Sequence, residues 1–485
     1  MSVRSVHKAA DSNLPRADSR AWGVCWLMFA ATVLTYVDRQ AVALLRDPIK
    51  EDFGIGSNAE FGWVIAAFYL PYALLQVPAG YLVDRWDLRR TYALAVAWWS
   101  MAATLTAFVP ELGFLFACRV LLGIGESFNW PVALKVTGRI LPPADRGLGN
   151  GIFNSGAAVG ALITPAIVTY LATRFGWRSS YAVVGSAGFV WVLCWLVLVR
   201  GELRSAMAPR VEKTDSTGLP IWVIAAFLGN GLAASGVAAL GFLHGQPAIQ
   251  AGIALAIVGP LVIAAVIPSK DLVGASWAEG LGRIVRTPRF WILVVVSVSI
   301  NICWHVQLNW VPSYLHDDRG LKFAAGNYFS IIPFLAADMG NLGGGWFSRR
   351  LAAAGRPAGR ARLIVMSIAM PMILVGLGIG MAGDLPTSLV LLAAMAFGTA
   401  AYMANYFAFT QEVSDRHTGL VVGYLGALGN LAAAGFQPIT GLVKDQTGSY
   451  AIIFAIIGLA PLLGLVALAV GWGSSRQAKS DVELG

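Results

Sequence analysis

The sequence predicts an all-α polytopic membrane protein with two six-helix halves and an inserted two-helix hairpin between them, giving fourteen transmembrane helices. Three observations carry that prediction. The 485 residues are 57% hydrophobic and only 13% charged, with 17 Trp, which is far from the balance of a soluble domain. Apolar runs of about 20 residues recur along the chain, each long enough to cross a hydrocarbon core of roughly 30 Å as a helix. Stretches of the first half return in the second. A transmembrane β-barrel would instead show alternating segments of about ten residues.

Taken in order, the first series of spans lies near 22–44, 59–82, 91–109, 112–134, 148–172 and 177–199. The second lies near 289–315, 324–347, 362–382, 386–411, 419–443 and 449–471. This divides the chain into a tail (1–21), a first half (22–199), a linker (200–288), a second half (289–471) and a tail (472–485). The first apolar run follows a basic tail, as a signal peptide would. It ends in Tyr36, Asp38 and Arg39 with no small-residue cleavage pattern, so it is expected to stay as the first span.

The linker holds the extra element, 221–267, which contains no charged residue. Basic connections flank it on both sides, so it must cross the membrane an even number of times, and two spans fit its length. A shallow re-entrant pair is the alternative. The expected hairpin is peripheral, linking two halves that are already complete.

A net charge of +9 could point to nucleic acid, but the positions of the charges point elsewhere. Arg and Lys cluster in alternate connections, from Arg4 to Arg20, Arg85 to Arg90, Lys135 to Arg146, Arg200 to Lys213, Lys270 to Arg289 and Arg349 to Arg362. The connections at 110–113 and 383–386 are short and carry neither. That asymmetry places both termini in the cytoplasm and implies a lipid bilayer as partner, not nucleic acid. Cys25, Cys118, Cys194 and Cys303 lie in apolar runs without metal or disulfide spacing and read as packing. His7, His244, His305, His316 and His417 are scattered, with no H-E-x-x-H, so neither an enzyme nor a metal or cofactor is expected.

The halves look like copies of one another. "GLGNGIFNSGAAVGALITP" then "FGWRSSYAVVGSAG" is answered by "GLVVGYLGALGNLAAAGFQP" then "TGSYAIIFAIIGLA", and "GYLVDRWDLRR" by "GGWFSRRLAAAGR". A six-span unit used twice in one orientation, with a site between the copies, is a recurrent design of secondary transporters.

Within the fourth span, "RVLLGIGESFNWP" sets Arg119 and Glu126 seven residues apart, about two turns and roughly 10 Å of rise, on one helix face. Charges at such depth are costly and should face a partner or a wet cavity. Gly123 and Gly125 allow a neighbouring helix to come close. A structural pair, Arg119 holding Glu126 or Asp38 with no ligand, is one reading. Span one adds Asp38 and Arg39, and two arginines with two carboxylates exceed the needs of one bridge. Binding an organic anion together with protons uses both types. His305 in span seven could relay a proton or simply bond a neighbouring helix.

The loop "GYLVDRWDLRR" resembles the signature of the major facilitator superfamily between spans two and three, carried by Gly80, Asp84, Arg85, Arg89 and Arg90. Asp87 stands where the signature has a glycine, Leu88 where it has a basic residue, and Ser348 at the acidic position of the second copy. "LTYVDRQ", "RVLLGIGESFNWP", "RGLGNGIFNSGAAVG", "FGWR" and "LAADMGNLGGGW" resemble the anion:cation symporter branch, above all its bacterial hexuronate and sugar-acid members. The resemblance covers nearly everything except the insert.

The resemblance implies that Arg39 and Arg119 sit by a central cavity, engaging the substrate carboxylate or the acidic groups, while Asp38 and Glu126 carry proton coupling. It places substrate-contacting tyrosines at Tyr36 and Tyr72, and a polar, structural position near the cytoplasmic gate at Asp338. Asn154, Asn309, Asn405 and Asn430 supply amides for sugar hydroxyls, though each could equally bond a neighbouring helix. The expected protein is a monomer of a bacterial-type inner membrane, a symporter importing a monocarboxylate sugar acid, hexuronate or aldonate, with protons. An exchanger or uniporter without proton coupling, sodium coupling, and a receptor or scaffold are the alternatives.

Overall fold

The computed structural model describes residues 19–142, 146–208, 285–410 and 418–474; helices account for its regular structure, with no strand among the described residues. The hairpin expected over 221–267, most of both tails and most of the linker lie outside the described residues, so the helix total of fourteen does too.

The first half comprises α1 (Ser19–Leu44), α2 (Arg46–Phe53), α3 (Asn58–Arg85), α4 (Leu88–Thr106), α5 (Leu112–Glu126), α6 (Asn129–Ile140), α7 (Arg146–Phe175) and α8 (Trp177–Leu198), followed by the short α9 (Glu202–Met207). The second comprises α10 (Pro288–Asp317), α11 (Phe323–Phe329), α12 (Ile331–Ala353), α13 (Ala358–Leu374), α14 (Gly376–Ile379), α15 (Leu385–Thr410), α16 (Thr418–Thr447) and α17 (Ala451–Ser474). Among the described residues, nine helical stretches are long and apolar enough to cross a membrane. Apolar side chains such as Leu94, Phe108, Leu193, Leu342, Val390 and Val470 are exposed around the bundle, as contact with lipid tails requires.

Three spans expected to be continuous are broken: the ninth between Leu374 and Gly376, and two more that share a cause. α5 stops at Glu126, and α6 begins at Asn129 with Pro131 in its first turn; α11 stops at Phe329, and α12 carries Pro333 in its first turn. Proline has no N–H for the carbonyl four residues back, and its ring crowds that carbonyl, so each helix restarts ahead of its proline. Some helix starts carry side-chain caps. Ser57 and Glu60 form a capping box at α3. Asp87, the departure from the signature glycine, caps α4 by accepting from the Arg90 N–H at 2.7 Å.

The doubling visible in the sequence is a doubling of packing. α1 lies against α7 and α8, α3 against α5, and α4 against α8; correspondingly α10 lies against α16 and α17, α12 against α15, and α13 against α17. The halves meet through α3 with α16 and through α7 with α12. The helix ends at Ser19, Pro288, Thr410 and Ser474 mark one end of the bundle, called here the near end; those at Leu44, Asn58, Asp317 and Thr447 mark the far end.

Candidate functional site

α1 buries three polar residues in succession, Asp38, Arg39 and Gln40, and α5 buries Arg119 and Glu126. The glycines between the last two decide how close the neighbours come. A Cβ on Gly123 would lie 2.3 Å from the Phe68 carbonyl oxygen of α3, and one on Gly125 would lie 2.8 Å from Trp98 of α4. Only a residue without a side chain lets α5 sit this deep between them. The close approach sets the Arg119 guanidinium 5.1 Å from the Phe68 ring centre.

Arg39 donates through Nε to Glu126 Oε2 at 2.6 Å, with both side chains out of solvent. Its guanidinium lies in an aromatic box, 4.3 Å from the Tyr72 ring centre, 5.2 Å from Phe68 and 5.4 Å from Tyr36. Arg119 makes a single long contact, Nη1 to the backbone oxygen of Asp38 at 3.5 Å. Its Nε and Nη2 have no partner, nor do Asp38 Oδ1, Arg39 Nη2 and Glu126 Oε1.

Neither structural bridge considered from the sequence is the one formed. Residues two turns apart share a face but stand roughly 10 Å apart along the axis, too far for Arg119 to reach Glu126 comfortably. Glu126 is taken instead by Arg39 from another helix. Arg119 is left as a buried cation with donors to spare, an arrangement that costs several kcal/mol unless an anion completes it. Its planar fork suits a carboxylate.

The second half faces this region with neutral groups. Asn309 donates to Gln437 Oε1 at 3.2 Å and to the Tyr69 hydroxyl of the first half at 3.5 Å, and its Oδ1 has no partner. Trp310 donates to the same Gln437 oxygen at 2.9 Å. His305 Nδ1 bonds the Asn301 carbonyl oxygen at 2.8 Å, and its ring meets Tyr69 edge-on at 4.8 Å. It is thus tied to its own helix and packs across the seam.

Of the residues singled out in the sequence, Tyr36, Tyr72, Asp38, Arg39, Arg119 and Glu126 come together, and Asn309 joins them through Tyr69. Asn405 donates to Gly344 of α12 at 3.3 Å and to Ala401 of its own helix, and Asn430 donates to Gly426 of its own helix. Only the bond to Gly344 joins two helices; the others stay within one. Asn154 is exposed on α7, and Asp338 is half-buried about two turns into α12. In the signature loop, Arg89 donates to the carbonyls of Val199 at 2.7 Å and Leu196 at 2.9 Å, closing the end of α8. A Cβ on Gly80 would meet nothing within 4 Å; the side chains of Asp84 and Arg85 lie outside the described residues.

Sequence reasoning missed Phe68, Tyr69, Gln40 and Gln437. The aromatic pair sits in the apolar run "AAFYLPYALL", where nothing marks which ring turns inward. Gln40 and Gln437 did carry a signal, since a buried amide inside an apolar span needs a reason. As for metals, ligating atoms of Asp47, His316 and Asp317 come within 4.8 Å of one another. Arg46 already engages both carboxylates, at 2.8 Å and 2.6 Å, so the group is an ion-pair network.

The family model described as Major Facilitator Superfamily matches residues 28–434. A probable sulfoacetate transporter of Cupriavidus necator is 25% identical over 459 residues, covering 92% of this chain and 91% of the relative. The hexuronate transporter of Escherichia coli K12 is 23% identical, covering 92% and 93%, and a D-galactonate transporter of Escherichia coli O6:H1 is 25% identical, covering 93% and 95%. Among solved structures, a POT family transporter in complex with 5-aminolevulinic acid superposes with a TM-score of 0.72 at 14% identity, covering 96% of this chain and 99% of that one. A bacterial homolog of the human lysosomal transporter Spinster, inward-facing and unoccupied, gives 0.62 at 17%, covering 94% and 96%. These two likenesses concern the fold.

Proposed function

Because this chain belongs to the Major Facilitator Superfamily, we propose that it imports a sugar acid of the hexuronate or aldonate class together with protons, by alternating access. Its relatives carry small organic anions, and the chain is an organic-anion transporter of that superfamily, not an enzyme.

The observation that carries the proposal is Arg119, a fully buried guanidinium with two free donor nitrogens and no carboxylate bonded to it. A substrate carboxylate supplies the missing acceptor. Arg39 is the second donor, held in reserve by Glu126. When a proton neutralises Glu126, its hold on Arg39 weakens from a charged pair to a neutral hydrogen bond, and Arg39 can turn to the anion. Asp38, beside Arg119, is neutralised in the same way. Tyr36, Tyr72 and Phe68 then border the sugar ring, and Asn309 Oδ1 accepts from a hydroxyl.

Basic connections at the near end support a cytoplasmic position for it, with the far end outward. Rocking of the halves along the α3 with α16 and α7 with α12 contacts would expose the site to each side in turn. An anion exchanger needs only Arg119 and is the second reading. Counterflow in proteoliposomes across a panel of sugar acids, with and without an inward proton gradient, tests both. Accumulation driven by the gradient supports symport; exchange indifferent to it supports the second reading; no uptake of any sugar acid sinks both.

A further inference from the structure

We infer that Arg46 is a gating residue of the transport cycle: its ion pair with Asp317 holds the far ends of the two halves together, and it must break for a solute to enter from that side. The inference rests on the chain being a transporter with its far end outward, and on no particular substrate.

Arg46 opens α2 and is buried, although it stands at the end of the bundle. Its two terminal nitrogens meet the two carboxylate oxygens of Asp317, the last residue of α10, at 2.6 Å and 2.5 Å. This is the bidentate geometry that makes arginine–carboxylate pairs specific. Tyr450, just ahead of α17, adds its hydroxyl at 3.1 Å from Arg46 and donates to Asp317 at 3.2 Å. One side chain of the first half is thereby bonded to two elements of the second.

Both sides of the contact are stiffly mounted. α2 is fixed to the first half at its other end, where Asp52 accepts from the Trp177 indole at 3.1 Å and from Arg178, which also bonds the Val109 carbonyl oxygen at 3.0 Å. On the second half, Asp318 is held by Lys444, by the Ser449 hydroxyl at 3.0 Å and by the Tyr450 N–H at 2.9 Å. Relative motion of the halves at this end is therefore felt at Arg46 and Asp317, as it is at Asn327 of α11, which donates to the Leu44 carbonyl oxygen and the Thr169 hydroxyl of the first half at 3.1 Å each. A neighbouring contact of the same kind runs from the N–H groups of Asn58 and Ala59, at the start of α3, to the Asp445 carboxylate at 3.0 Å and 2.9 Å. It uses the positive end of the α3 dipole.

The chemistry suits a contact that opens repeatedly. Apolar surface pulled apart into water loses its stabilisation outright, whereas separated charges regain hydration. The position suits it as well. Arg46 follows Arg39 by seven residues and Asp317 follows Asn309 by eight, so the pair sits about two helical turns outward of the arginine site, across the path from the far end.

The test uses the full-length protein in intact cells, with Cys25, Cys118, Cys194 and Cys303 replaced and Ser313→Cys as reporter. Ser313 lies one turn inside Asp317 on α10 and is 3% exposed. An impermeant maleimide added outside labels the reporter slowly when Arg46 is intact. Arg46→Ala and Asp317→Ala each raise the rate about tenfold, the consequence of losing one charged contact. The exchange Arg46→Asp with Asp317→Arg restores protection. Arg46→Lys, which keeps the charge but gives up the two-pronged contact, and Tyr450→Phe, which removes the hydroxyl bonded to both Arg46 and Asp317, give intermediate rates and keep the inference testable if the alanine variants do not fold. Unchanged labelling in the single variants, failure of the exchange to protect, or labelling that rises only from the cytoplasmic side would each overturn it. The measurement needs no substrate, so it stands or falls separately from the anion reading.

Discussion

Arg39 and Glu126, separated by 87 residues in the chain, meet at 2.6 Å, while Arg119, two turns from Glu126 on the same helix, has no carboxylate bonded to it. One arginine is neutralised within the protein and the other is not. On the proposed function, that inequality would make Arg119 the standing anion site and Arg39 the one that a proton on Glu126 releases.

Arg119→Lys should weaken binding of a sugar acid by about tenfold or more. A single ammonium replaces one of two parallel charged hydrogen bonds, a loss on the order of 1.5–3 kcal/mol. Binding of the corresponding amide should barely change. Ligand-induced thermal shift and affinity, measured for acid and amide side by side, check this; equal losses would mean that Arg119 holds the fold.

Glu126→Gln should abolish accumulation driven by an inward proton gradient while leaving exchange of anion intact. The amide cannot take up or release the proton, and it frees Arg39 permanently. In the parent, initial uptake should rise as the outer medium is made more acid, and in the variant it should not. Concentrative, pH-dependent uptake by the variant would remove Glu126 from the coupling.

Gly123→Ala should cost about 1–3 kcal/mol by overpacking, because its Cβ would fall 2.3 Å from the Phe68 carbonyl oxygen, a backbone atom that cannot swing aside. A lowered midpoint of thermal unfolding is the expected reading. Any protein that folds should also bind anion less well, since α5 backs away from α3 and takes Arg119 with it.

Asn405→Ala and Asn309→Ala should part company. Asn405 bonds the Gly344 carbonyl oxygen of α12, so its loss should cost about 0.6 kcal/mol of stability and leave affinity unchanged. Asn309, whose Oδ1 is buried without a donor, should affect affinity for a hydroxylated acid more than for its deoxy analogue. Affinity lost at Asn405 and not at Asn309 would reverse the assignment.

The membrane setting was legible in the sequence because lipid imposes a coarse and local demand: each span must carry about 20 apolar residues, and the connections between spans differ in their share of Lys and Arg. The repeated half could be read for the same reason, since two copies of one unit keep their small and polar residues in matching places. Even the breaks after Glu126 and Phe329 were written locally, in Pro131 and Pro333. What the sequence by itself left open was partnership. Arg119 and Glu126 were visible as costly buried charges, but with Asp38 and Arg39 they permit several pairings. Only the depth to which Gly123 and Gly125 let α5 settle against α3 and α4, and the rotation of α1 beside them, chose Arg39 for Glu126. The roles of Phe68, Tyr69 and Arg46 were hidden likewise. An ion pair or an aromatic contact depends on a few ångströms between helices distant in the chain, and that distance is set by packing of the whole bundle.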